Sequence, residues 1–358
     1  MTQKYAGKMR IIVSALTLCL VAQQSILLSA SAGMITGVKP EAGADGNIYN
    51  INPSVNHGDV GFRLYNNFVL NEGEIANLIY KYKDKDISTF VNLVNEQINI
   101  NGLVNTVRDG NFYNGHAIFV SPNGMVVGAS GVLNVGSLSV LTPDQNQFDK
   151  FKSDYEINGD LTPLYSEGKG TVTVNGKVMA RNAVDIRAAA VDVANNAAIM
   201  AGVKTLDNIT TNAQANALFN SLVKTDNMTS GNAFASENGS IKITSYSGDG
   251  GVNLAAGTSL KNFGKGNIEI TNKGSKGISM NGEIKNPAGD ILITNSNGNL
   301  NINKGASIQH KSHQDNKVDI INSGNQLYID GAITSENGTV NIKNTGNGGL
   351  HIDKNAVI

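Results

Sequence analysis

Five histidines and a scatter of carboxylates are the groups in this 358-residue chain that could do acid–base or metal chemistry. His310 and His313 form an HxxH, but no Glu lies between them and the surroundings, HKSHQD, read as a polar loop. A zinc centre needs three or four well-spaced ligands, so a solvated turn is the expected role there. His57, His116 and His351 stand singly and are read as surface or capping groups. Asp249, Asp290 and Asp315 fall in turns, where Asp bonds to nearby backbone. No GxSxG elbow, HExxH, Walker A loop or calcium-binding nonapeptide occurs. A polysaccharide-cleaving β-helix needs several carboxylates and a basic residue on one face, and no acidic column recurs in successive repeats. The expectation is a chain that is not an enzyme and takes neither cofactor nor metal. A polysaccharide-degrading β-helix is the weakest alternative.

Composition says what could position such groups. The chain has 28 Lys+Arg against 29 Asp+Glu, and 16% charged residues against about 25% in an average domain. That balance excludes a phosphate-neutralising surface, so no nucleic-acid partner is expected. It also differs from the high net charge of disordered chains. There are 40 Gly and 49 Asn beside 40% hydrophobic residues. Gly and Asn tolerate the left-handed backbone of tight turns, which points to many short strands.

The first 32 residues read as a secretory signal peptide. Lys4, Lys8 and Arg10 precede an apolar stretch from Ile11 to Val21, and Ala30-Ser31-Ala32 forms a small-x-small cleavage site before Gly33. Gln23 and Gln24 interrupt the run short of the roughly 20 apolar residues a membrane span needs, so no stable span is expected in the mature chain. The single cysteine, Cys19, would leave with the signal. A mature chain without disulfides can pass a pore in extended form.

From 237 to 358 the sequence repeats. Apolar pairs separated by one residue recur at Ile241/Ile243, Ile268/Ile270, Ile291/Ile293, Val318/Ile320 and Val340/Ile342. A second pair follows each, from Val252/Leu254 to Leu350/Ile352, and a lone aliphatic closes each unit at Leu260, Ile284, Ile308, Ile333 and Ile358. The closing positions are 24, 24, 25 and 25 residues apart. Both members of a pair face the same side of a strand. Three short strands per unit, turning at Gly and Asn, make a triangular coil with aliphatic residues inside. One coil buries too little apolar surface to offset its ordering entropy, so coils must stack. Asn272, Asn295, Asn322 and Asn344 would then lie one strand spacing apart and bond as an amide ladder.

The whole chain is therefore read as all-β: a right-handed parallel β-helix (solenoid) with an N-terminal cap and short helical insertions. Residues 33–205 form the N-terminal domain, 206–236 a polar and partly helical insertion, and 237–358 the regular repeats. Thr171–Val174, Val184–Ile186 and Val191–Val193 continue the alternation. Glu72 to Gln97 shows helical spacing at Ile75, Leu78, Ile79, then Phe90, Val91, Leu93 and Val94. Gln214 to Val223 reads as an amphipathic helix. Thr142-Pro143-Asp144, followed by Phe148 and Phe151, predicts a helical turn with Pro just inside its start. Ile358 closes a coil, and a stack ending there would expose strand edges, so the repeats are expected to continue beyond it.

Two stretches resemble a known family. The segment from Ile51 to Leu70, with Phe62, Tyr65, Phe68 and Val69, resembles the opening of the haemagglutination-activity domain of two-partner secretion exoproteins. The segment from Gly115 to Pro143 is similar to that domain's NPNG…NVG stretch, at Ser121, Pro122, Asn123, Gly124, then Asn134, Val135 and Gly136. Ser121 replaces the first Asn of the motif. The Ser form resembles the leukotoxin-type filamentous adhesin branch. The resemblance covers about residues 45–205. It implies a filamentous-haemagglutinin-like adhesin recognised in the periplasm of a two-membrane bacterium by an outer-membrane β-barrel transporter with POTRA-type domains. Ser121 to Gly124 would be the recognition motif and Asn134 to Gly136 a secondary one. The chain would act outside the cell or on its surface, against a receptor the sequence does not name. The alternative is the stalk of a contact-dependent inhibition toxin or leukotoxin with its effector beyond residue 358.

Overall fold

The computed structural model describes residues 33–204, 209–223, 239–246, 248–311 and 316–358. The expected signal peptide with Cys19 and Ala32, His313, Asp315, and most of the polar insertion lie outside them.

From Met34 onward the chain is a parallel β-helix with three faces. Face I is an eleven-stranded sheet running from Val60–Tyr65 through Ile268–Asn272 to Thr339–Asn344. Face II, also eleven-stranded, runs from Phe68–Leu70 through Gly277–Met280 to Leu350–Ile352. Face III carries the closing aliphatics, from Asn47–Ile51 to Ala332–Ser335. The register is the one the repeat spacing requires. Ile268 pairs with Ile291 and Ile291 with Val318 on face I. Ile278 pairs with Leu300 and Leu300 with Leu327 on face II. Leu260, Ile284, Ile308 and Ile333 align on face III. These residues are fully buried in one continuous core, so each coil supplies the apolar floor of the next.

The N-terminal end is closed on all three faces by strands that run the other way. Met34–Ile35 pairs antiparallel with Phe68–Leu70, Glu41–Ala42 with Asn47–Ile51, and Val55–His57 with Val60–Tyr65. Antiparallel partners satisfy the outermost ladder groups, and an open edge would otherwise invite pairing with another chain. Arg63 binds this cap together, donating to the carbonyls of Asn52 at 2.9 Å and Gly37 at 2.6 Å.

Two helices lie against the outside of the coils. Helix α1 (Gln145–Asp154) starts at the N-cap Asp144, whose carboxylate accepts from the amides of Asn146 and Gln147. Pro143 thus precedes the cap, not the first turn as the sequence predicted, because Asp144 is the better oxygen acceptor for the open amides. Phe148 and Phe151 of α1 pack on outward residues of face I such as Val91, Leu93 and Ile118. Helix α2 (Asn212–Val223) agrees with the amphipathic expectation and covers outward Leu103, Val132 and Met200 of face III with Ala215 and Leu222.

The helical reading of 72–97 is corrected. That stretch holds the strands Ile75–Ile79 and Thr89–Val94 with a small hairpin of Lys81–Tyr82 and Lys85–Asp86 between them. Phe90 and Val94 point into the core while Val91 and Leu93 point outward beneath α1. A strand buried on both sides shows a continuous apolar run, and its period is lost.

Candidate functional site

The motif Ser121-Pro122-Asn123-Gly124 is the corner between face I strand His116–Val120 and face II strand Met125–Val127. The Gly124 amide donates to the Ser121 carbonyl at 3.1 Å, closing a turn with Ser first, Pro second and Gly fourth, the residue order of a type I turn. Gly124 has φ +85°, and a Cβ there would stand 2.0 Å from the Thr171 carbonyl of the next coil. Ser121 is buried; its hydroxyl donates to the Glu96 carbonyl at 2.8 Å and accepts from the Asn123 amide at 3.1 Å. Asn123 is the exposed tip, and its Nδ2 donates to the Asn95 carbonyl at 2.7 Å.

Those bonds tie the turn to the corner of the coil below. Asn95, half-buried, donates from Nδ2 to Asn66 Oδ1 at 2.8 Å, so Asn66, Asn95 and Asn123 line up at the corners of successive coils. Beside it lies an open polar groove of about 520 Å³ lined by Asn66, Asn67, Val69, Glu96, Gln97 and Asn99 among others. Lys152 of α1 reaches Asn95 Oδ1 at 3.1 Å and pairs with Asp149 at 2.9 Å. The hydrogen bonds from Lys152 and Gln145 hold the Asp149 carboxyl below its ordinary range. The sequence reading missed this groove, although Asn66, Asn95 and Asn123, 29 and 28 residues apart, carry the signal.

Asn134, Val135 and Gly136 sit elsewhere on the same coil, on face III, and do not share the groove. Asn134 is buried and donates to Asn105 Oδ1 at 2.8 Å; Asn105 in turn donates to Asn77, and Asn77 to Asn50. Asn105 also holds the Ile209 carbonyl, 2.8 Å away, anchoring the segment that leads to α2. Val135 fills the core. Gly136 lets the Asn114–Gly115 backbone pass, since a Cβ would lie 2.4 Å from it. Each member of this second motif has a packing role.

Among the histidines, two expectations are corrected. His310 is 1% exposed, not part of a solvated turn. It occupies the place that Asn262 and Asn286 hold in earlier coils, with Nδ1 3.0 Å from Ser335 Oγ. Burial holds its imidazole below the ordinary value, opposed by Asp290. His116 is half-buried, with Nε2 2.8 Å from Ser139 Oγ, and burial likewise lowers its pKa against the pull of Asp185. This pair approaches a nucleophile–base arrangement, but Asp185 is bound by the Arg187 guanidinium at 2.9 Å. The carboxylate–imidazole bond of a Ser-His-Asp triad is not among the contacts of the described residues. His57 bonds the Tyr155 carbonyl at 2.8 Å, agreeing with a capping role, and exposed His351 stacks on Tyr328. Asp290 lies at a coil corner as expected, but its carboxylate accepts from the Lys317 amide of the next coil at 2.9 Å, not from nearby backbone.

No helix among the described residues is long and apolar enough to cross a membrane. The chain matches no family model and no curated protein. Among solved structures it is similar to the HMW1 secretion domain from Haemophilus influenzae, at 12% identity with a TM-score of 0.39, over 91% of this chain and 95% of that one.

Proposed function

We propose that this chain is a two-partner secretion exoprotein with an adhesive role: directed to the periplasm by residues 1–32, recognised there by an outer-membrane β-barrel partner, and exported through it. The reading rests on the two family-like motifs. The observation that carries it is the exposed Asn123 tip of the Ser121–Gly124 turn, beside the polar groove and close above the capped end of the coil stack. A recognition element must stay accessible while the rest of its motif is locked by packing, and Asn123 alone of the four is exposed.

The architecture suits one-way assembly during export. With every N-terminal edge capped, coils add only at the other end. Each strand pairs with the equivalent strand of the following coil, as Ile268–Asn272 does with Ile291–Asn295. A chain emerging N-terminus first would bury one coil's aliphatics at a time, and that burial opposes its return. The role is binding, not turnover.

The test is co-expression with the candidate transporter and measurement of the chain in medium and periplasm. Asn123→Ala is expected to lower the exported fraction several-fold while the periplasmic protein keeps its β-sheet circular dichroism. Export that is unchanged in the variant, or equally efficient without any transporter, would refute the assignment.

A further inference from the structure

Two of the three outer faces are covered in part by the described helices. Helix α1 packs on face I and α2 on face III over the N-terminal coils. Neither helix packs on face II. Its eleven strands, at about 4.8 Å spacing, present a surface roughly 48 Å long.

The outward column of face II has an unusual chemistry. Across all eleven rungs it contains no Lys, Arg or Glu and a single Asp, Asp192, whose carboxylate accepts from Asn253 at 2.6 Å. Beyond it the rungs are Asn253, Ser279, Asn301, Tyr328 and His351, in parallel register. A second row runs alongside: Asn281 and Asn303 both reach Ser279 Oγ, at 3.5 and 3.3 Å. Asp330 continues this row after Tyr328, and one of its carboxylate oxygens is shielded without a hydrogen-bond partner among the described residues. Tyr328 and His351 stack with ring centres 5.2 Å apart and planes 9° apart. At the other end, outward Val69 and Asn99 belong to the polar groove of about 520 Å³.

We infer that the outer face of face II binds a neutral polysaccharide laid along the coil axis. A nucleic acid or sulfated polymer needs Lys and Arg to neutralise it, and this column has none. A lipid surface or a protein interface core needs a contiguous apolar patch, whereas the rungs from Thr173 to Asn301 are all polar. Amides and hydroxyls each both donate and accept, which is the pattern a chain of hydroxyl groups requires. Single bonds of this kind are weak. Repetition every rung lets a repeating polymer engage many at once, with the gain of linked binding. The inference names a ligand class for the adhesive role proposed above and depends on that reading only for its biological setting.

The test is affinity electrophoresis of the purified chain in native gels containing soluble mannan, dextran or galactan, with heparin as the anionic comparison. Retardation by at least one neutral polymer is expected. The triple variant Asn253→Ala/Asn301→Ala/Asn303→Ala should weaken it at least about tenfold. Thr271→Ala/Thr294→Ala, outward on face I, should leave it unchanged. Retardation by heparin alone, by none of the polymers, or lost equally in the face I variant would overturn the inference. The measurement needs no transporter, so it fails or succeeds independently of the export assay.

Discussion

The inner amide ladder makes a graded prediction. Asn295 Oδ1 accepts from Asn272 at 2.8 Å, while its Nδ2 donates to Asn322 Oδ1 at 2.7 Å and the Gly298 carbonyl at 3.1 Å. All three ladder asparagines are fully buried. In Asn295→Ala the Asn272 amide keeps the carbonyls of Gly274 and Asn297, but Asn322 Oδ1 loses its donor where water has no access. A buried orphan acceptor costs about 1–3 kcal/mol and each lost net bond about 1 kcal/mol, so about 3 kcal/mol is expected. Asn344 is only half-buried, at the open end of the ladder; water replaces its partner, and Asn344→Ala should cost about 1 kcal/mol. Solenoids open locally, so hydrogen exchange read by mass spectrometry over the coils containing 268–344 is a better assay than a global melt. Protection should fall about 150-fold for Asn295→Ala and about fivefold for Asn344→Ala. Equal losses in the two variants would show that the ladder is not the source of the coils' stability.

Two further predictions use other parts of the fold. Gly58 (φ +61°) and Gly124 (φ +85°) both need the left-handed backbone, but a Cβ at Gly58 meets nothing within 4 Å. Gly58→Ala should therefore cost only the backbone penalty of about 1 kcal/mol, whereas Gly124→Ala adds the clash with Thr171 and should lower the urea midpoint far more; similar midpoints would refute the close approach. His116 and His310 have imidazoles held below the ordinary 6.5 by burial. The unfolded chain then binds more protons than the folded one, so stability is full above about pH 6.5 and falls as pH drops towards the depressed values. His116→Gln and His310→Gln should each flatten that acid slope in urea titrations, and an unchanged slope would contradict the assignment.

Strand count, face assignment and register of the last five coils were legible in the sequence. There the paired inward positions are apolar and most outward ones polar, with Leu292 and Ile321 the outward exceptions, so the period of two survives. The Asn272–Asn344 column was legible for the same reason. The signal failed in the early coils because α1 and α2 bury outward residues such as Val91 and Leu103 as deeply as inward ones. His310 was misread because its neighbours in sequence are polar while its neighbours in space are Asn286 and Ser335 of adjacent coils.

By itself the sequence determined the repeat length, the inward aliphatic positions and the residues of the Ser121–Gly124 turn. These are local properties, set by alternation and by which residues accept a given φ. Only the tertiary structure decided that three antiparallel strands close one end, that Asn66 and Asn95 stack beneath Asn123, and that neither described helix packs on face II. Two of the closing pairs are local, Glu41 with Ile48 and Val55 with Phe62, but their place at the end of the stack depends on which coil lies against which, and that is set by pairings between coils.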